Sequence, residues 1–254
     1  MEKNNKKEAD ALWDWYRMVG VDIAVEETPR SSRKKENVLS DEHNSKKVLS
    51  EKVKEIKLEN IKTLDHLYEA MINIDCDLKK TANNFVFSDG NKNAKVMVIG
   101  EAPGAEEDNM GKPFVGLSGQ LLDKIFSSIG LNRPDNLYIT NIIPWRPPGN
   151  RQPTNEEVSM MMPYVKKHIE IIKPNILVCV GGVSAKALFN SKSGIMQMRG
   201  KLQDLTFGSH TVNAIAMYHP AYLLRSPGQK AKAWQDALII RKKCDDLKIS
   251  SMPF

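Results

Sequence analysis

Cysteine is scarce in this chain of 254 residues: Cys76, Cys179 and Cys244 are three, far apart and odd in number. Such a set argues against a disulfide framework and suits a reducing compartment. Cys179 lies inside the apolar run Ile176 to Val180 and reads as core. Long hydrophobic runs are missing as well, and no stretch approaches the roughly 20 apolar residues that a membrane helix needs. Met1 to Asp10 is polar and charged, without the apolar centre of a signal peptide. A cytoplasmic protein is expected, and a monomer. Neither the Walker lysine pattern nor a full G-x-G-x-x-G occurs, which removes two common phosphate cradles.

What remains is 41% hydrophobic and 27% charged, enough for one sizeable α/β domain plus an appendage. The formal net charge of +6 favours a polyanionic partner such as nucleic acid without requiring one. Leu12, Trp15, Tyr16 and Val19 fall at helical spacing, so residues 1–27 read as an N-terminal helical segment. From Thr28 to Asn60 the composition turns to Lys, Arg, Glu, Ser and Asn, which buries too little apolar surface to offset ordering entropy. Residues 28–60 therefore read as a flexible charged linker, and 61–254 as the α/β domain.

Within that domain strand and helix signals alternate. Val96 to Ile99, Leu137 to Thr140, Ile176 to Val180 and Ala214 to Met217 are the strand candidates. Helix patterns lie at Ile61 to Ile72, Leu117 to Ile129, Asn155 to Ile172 and Val183 to Phe189. The alternation predicts a three-layer α/β/α sandwich around a central four-stranded parallel sheet. All four strand ends then meet on one edge, where α/β proteins hold their ligands. The segments that follow them are Gly100 to Gly104, Asn141 to Arg151, Gly181-Gly182 and His219 to Arg225.

The first of these, Gly100-Glu101-Ala102-Pro103-Gly104-Ala105-Glu106-Glu107-Asp108, is a glycine-bounded turn entering a helix. Its acids oppose a bound phosphate, which speaks against a nucleotide-binding protein. Taken with Pro113-Phe114-Val115-Gly116, Thr140-Asn141, Arg146-Pro147-Pro148-Gly149-Asn150-Arg151 and His219-Pro220-Ala221-Tyr222-Leu223-Leu224-Arg225, it resembles family 4 uracil-DNA glycosylases. The resemblance runs in unbroken order from about Leu78 to Lys242.

The resemblance implies cleavage of the N-glycosidic bond of uracil flipped out of single- or double-stranded DNA, in base excision repair. Gly100, Ala102 and Pro103 then form the substrate turn, Phe114 the surface under the flipped ring, and Asn141 the amide that reads the uracil edge. His219 faces the developing anion at O2. Glu101 handles the attacking water or the cationic sugar. Glu107 and Asp108 are alternative water-handling groups, or simply compensate the helix N-terminus. Leu223 and Leu224 include the wedge that fills the hole left by the base. Arg225, Arg146 and Arg151 meet phosphates. No lysine sits in a Schiff-base position, so strand cleavage is not expected.

The chain also departs from that family, whose members usually carry an iron–sulfur cluster on four cysteines. Here the positions read Asn73, Cys76, Trp145 and Met161, and a cluster needs four suitable ligands. A chain without metal or other cofactor is therefore expected. Ala102 replaces the aspartate of family 1 enzymes. This leaves open a non-catalytic protein that binds uracil or damaged DNA.

Overall fold

A computed structural model of the chain describes residues 58–249. The helical segment at residues 1–27 and nearly all of the charged linker lie outside the described residues. A short 3-10 turn, Leu58–Asn60, leads into helix α1, Leu64–Ile72, whose first turn is capped by Thr63 accepting from the His66 amide.

Six strands form one mixed sheet: β1 (Ser88–Gly90), β2 (Val96–Gly100), β3 (Leu137–Asn141), β4 (Ile176–Val180), β5 (Leu202–Phe207) and β6 (His210–Met217). Their order is β1-β3-β2-β4-β6-β5. The four inner strands are parallel, as expected. The sheet is wider than expected because β1 and β5 add antiparallel edges. Neither edge carries the apolar run of a strand buried on both faces: β1 is the polar Ser88-Asp89-Gly90, and β5 is mostly exposed.

Side chains alternate across the inner strands and split the core in two. Met97, Ile99, Tyr138, Leu177, Cys179, Ala214 and Ala216 face one apolar layer, closed by Leu67 and Met71 of α1 and by Met161, Val165 and Ile169. Val96, Val98, Leu137, Ile139, Val178 and Ile215 face the other, closed by Leu122, Phe126, Ala237 and Ile240. The covering helices are α2 (Ala105–Met110), α3 (Leu117–Ser127), α4 (Asn155–Ile172), α5 (Gly182–Phe189), α6 (Ile195–Met198), α7 (Pro220–Arg225) and α8 (Lys230–Asp246). The α/β/α layering is therefore the one read from the sequence. No helix among the described residues is long and apolar enough to cross a membrane.

Parallel pairing brings the strand ends into register: Gly100 lies beside Asn141, and Val180 beside Met217. Every loop singled out in the sequence thus leaves from the same edge.

Candidate active site

A cavity of about 660 Å³ opens along that edge. Glu101, Ala102, Pro103, Glu107, Phe114, Asn141, Arg151, His219 and Arg225 all line it. Gly100, Asp108, Arg146, Leu223 and Leu224 are not among its lining residues. Gly181, Met196, Tyr218 and Tyr222 line it without having been singled out as site residues.

The floor is closed by contact. A side chain at Gly100 would put its Cβ 2.4 Å from Asn141 Oδ1 and 2.4 Å from Phe114 Cζ, so only glycine lets ring, amide and turn meet. Asn141 is buried at the end of β3, and its Oδ1 has no hydrogen-bond partner among the described residues. A buried acceptor left unmet costs about 1–3 kcal/mol, which a ligand N–H can return. Phe114 is buried as well and adopts a left-handed φ of 55°.

His219 caps α7, with Nδ1 accepting from the Ala221 amide at 3.2 Å. That bond leaves the ring proton on Nε2, free to donate. Burial, reinforced by the Arg225 charge and opposed by Glu107, lowers its pKa to about 4. The imidazole is therefore neutral near pH 7. Its ring lies 5.6 Å from that of Phe114, at 29° to it. Gly181, with φ 94°, backs the imidazole closely: an added Cβ would sit 3.3 Å from His219 Cβ.

The three acids separate in three dimensions. Burial raises the Glu101 pKa, and its carboxylate accepts no hydrogen bond among the described residues. Glu107 spends both oxygens on backbone: Oε2 accepts from Gly104 N at 3.0 Å, and Oε1 from Val115 N at 3.0 Å and Gly116 N at 2.9 Å. It ties the Gly100–Gly104 turn to the loop carrying Phe114. Asp108 is buried away from the cavity, where Oδ1 accepts from the amides of Asn83 at 2.9 Å and Asn84 at 3.0 Å. This placement sets Asp108 apart from the other water-handling candidates: its carboxylate braces the segment before β1, outside the cavity lining.

Leu223 and Leu224, the pair read as including the wedge, sit on α7. Successive helical residues differ by about 100° in direction, so Leu223 packs inward, fully buried with Tyr218 and Ala233, while Leu224 is 42% exposed. Of the arginines, Arg151 is paired with Glu157 at 2.6 Å and Arg146 Nε donates to Asn150 Oδ1 at 2.7 Å. Arg225 stands exposed at the rim.

A mixed sheet covered by helices on both faces, with a cavity at the carboxyl ends of its parallel strands, defines an α/β protein of the three-layer kind. The family model described as the uracil DNA glycosylase superfamily matches residues 87–239. The type-4 uracil-DNA glycosylase of Archaeoglobus fulgidus is 40% identical over 184 residues, covering 71% of this chain and 92% of that protein. That of Pyrobaculum aerophilum is 39% identical over 178 residues, covering 68% and 90%. A type-4 enzyme of Saccharolobus solfataricus is 40% identical over 157 residues, covering 60% and 72%. The chain belongs to the uracil-DNA glycosylase superfamily and, within it, to the type-4 family.

Membership corrects the expectation of a chain without a cofactor, because the type-4 family is one that binds an iron–sulfur cluster. The residues at the four corresponding positions do not themselves fit a four-thiolate cage. Asn73 is exposed and donates to Glu69 O at 2.8 Å. Cys76, Trp145 and Met161 are buried in one apolar layer, with the Trp145 ring 5.3 Å from that of Phe85. No group of three or more His, Cys, Asp or Glu is placed to hold a metal among the described residues.

Proposed function

We propose that this chain is a monofunctional uracil-DNA glycosylase that draws uracil out of DNA into the slot, hydrolyses its N-glycosidic bond and leaves an abasic site. The observation that carries this reading is the unmet Asn141 Oδ1, buried beside the Phe114 ring and in the same cavity as His219. Uracil offers N3–H to that oxygen and O4 to the amide nitrogen. Cytosine reverses both demands and would leave buried polar groups unpaired, a penalty that separates substrates by orders of magnitude.

Flipping the nucleotide costs a few kcal/mol, which stacking over Phe114 and the Asn141 pairing offset. As the C1′–N1 bond breaks, its electron pair stays on the base. The neutral His219 donates Nε2–H toward O2, where negative charge gathers. Glu101, ionised, faces the cationic sugar and receives a proton from the water whose oxygen bonds to C1′. Arg225 and Arg151 meet phosphates at the rim, and Leu224 enters the stack.

Residues 61–254 form the glycosylase unit in this reading, with 1–60 outside it, and the enzyme works as a monomer. The three cysteines are free and buried, which supports a cytoplasmic setting. The test is release of uracil from a single-stranded oligonucleotide, read as alkali-labile breaks. Breaks at uracil and none at cytosine are expected. Retention of uracil-DNA without release would make the chain a damage-binding protein instead.

A further inference from the structure

Phe114 holds a backbone conformation that an aromatic L-residue rarely adopts, at a cost of about 1–3 kcal/mol. Something has to hold it there. On the amide side the grip is Glu107, through Val115 N and Gly116 N. On the carbonyl side it is Arg133, a residue that no sequence motif marked. Its Nη1 donates to Pro113 O at 2.8 Å and its Nη2 to Phe114 O. Its remaining donors reach Asp123 Oδ1 through Nε at 2.9 Å and Asp89 Oδ2 through Nη1 at 2.9 Å. The side chain is only 15% exposed.

A third contact completes the grip. Gly119, in the first turn of α3, lies so near the Phe114 carbonyl that an added Cβ would fall 1.9 Å from its oxygen. The carbonyl is thus confined between helix backbone and guanidinium. Released, Phe114 would relax toward negative φ and swing its ring off Gly100 and Asn141.

We infer that Arg133 is a positioning residue of the glycosylase reaction, acting through the Pro113 and Phe114 carbonyls to hold the Phe114 ring where the flipped base must stack. The inference rests on the glycosylase reading. The planar fork is what the geometry uses, since it serves two carbonyls and two carboxylates at fixed angles. A lysine in its place supplies the charge without the fork.

The experiment compares Arg133→Lys with the double variant Asp89→Asn, Asp123→Asn in the full chain. The double variant removes both ion pairs yet leaves an oxygen acceptor at each site and the carbonyl bonds intact. Single-turnover uracil release, oligonucleotide KM, inhibition by free uracil and the thermal midpoint are measured for each. Arg133→Lys is expected to lower kcat about 10- to 100-fold, as a misplaced reacting group does. KM should change less than about threefold, because the rim contacts that set it are untouched. Free uracil should inhibit this variant several-fold less well. The double variant should lose thermal stability while keeping kcat and uracil inhibition close to wild type.

Wild-type rates in Arg133→Lys, or a kcat that falls in step with the melting temperature across both variants, would overturn the positioning role. A wild-type chain that releases no uracil would instead remove the glycosylase reading, and this inference with it.

Discussion

At the floor of the slot, Gly100, Phe114, Asn141 and His219 are confined by backbone hydrogen bonds and by contacts that leave no room for a methyl group. At the rim, Arg151 and Arg225 reach toward solvent, as Leu224 does outside the cavity lining, and the pairs that Arg146 and Arg151 make are surface pairs. The two zones obey different electrostatics. Polar groups on the floor are shielded from water, so one donor or acceptor there is worth kilocalories. Charges at the rim are screened within a Debye length of about 8 Å at physiological salt. The floor should therefore govern chemistry and base choice, and the rim encounter and salt dependence.

The sharpest way to break that division is at His219. His219→Ala removes the donor facing the developing anion and is expected to lower kcat by about 10²- to 10³-fold, with the folded protein intact by circular dichroism. A loss under threefold would move the chemistry elsewhere. The pH profile adds to the same test. With its pKa near 4, His219 gains a proton only well below neutrality, so it leaves the rate flat from pH 5 to 8. Glu101, whose pKa is raised by burial, must be ionised, so the rate should fall as pH drops through that raised value. An acid limb that persists unchanged in Glu101→Gln would reassign it to another group.

Next comes Gly100→Ala, whose Cβ must displace either the Phe114 ring or the Asn141 amide. Activity should drop about 10²-fold, mostly in kcat. An active Gly100→Ala enzyme would mean that the floor is softer than its contacts imply.

The paired leucines probe the border between the zones. Leu223→Ala should cost about 2–5 kcal/mol of stability in denaturant titrations, as core truncations do. Leu224→Ala should cost under about 0.5 kcal/mol, as surface substitutions do. It should instead slow uracil release from duplex about tenfold more than from single strands. If the two variants behaved alike, α7 would not present the inward and outward faces described. Smallest of all is Arg225→Gln, which should weaken oligonucleotide binding a few-fold at low salt and reduce the slope of log K against log salt by about 1. An unchanged slope would take Arg225 off the DNA path.

Much of the fold could be read directly. The runs ending in Gly100, Asn141 and Val180 are continuous because parallel strands are covered on both faces. The edges Ser88–Gly90 and Leu202–Phe207 escaped notice because the first is three partly buried residues without an apolar side chain and the second is mostly exposed, leaving no pattern to recognise. In the site, the motif residues were legible but their division of labour was not. Glu101, Glu107 and Asp108 look equivalent along the chain, yet backbone amides claim Glu107 and Asp108. Arg133 lies outside every motif and acts only because the fold carries it to the Phe114 carbonyl.

Local patterning by itself determined the order of the four inner strands and of the main helices between them, the edge on which their loops gather and the residue types available there. These depend on periodicity and turn chemistry that act over a few neighbours. Only the tertiary structure decided which carboxylate stays free, which leucine turns outward, how Phe114 is held in its left-handed conformation and that Asn141 keeps an unmet oxygen. Each of those outcomes is a contact or a burial produced by segments far apart in the chain, and no short-range rule specifies them.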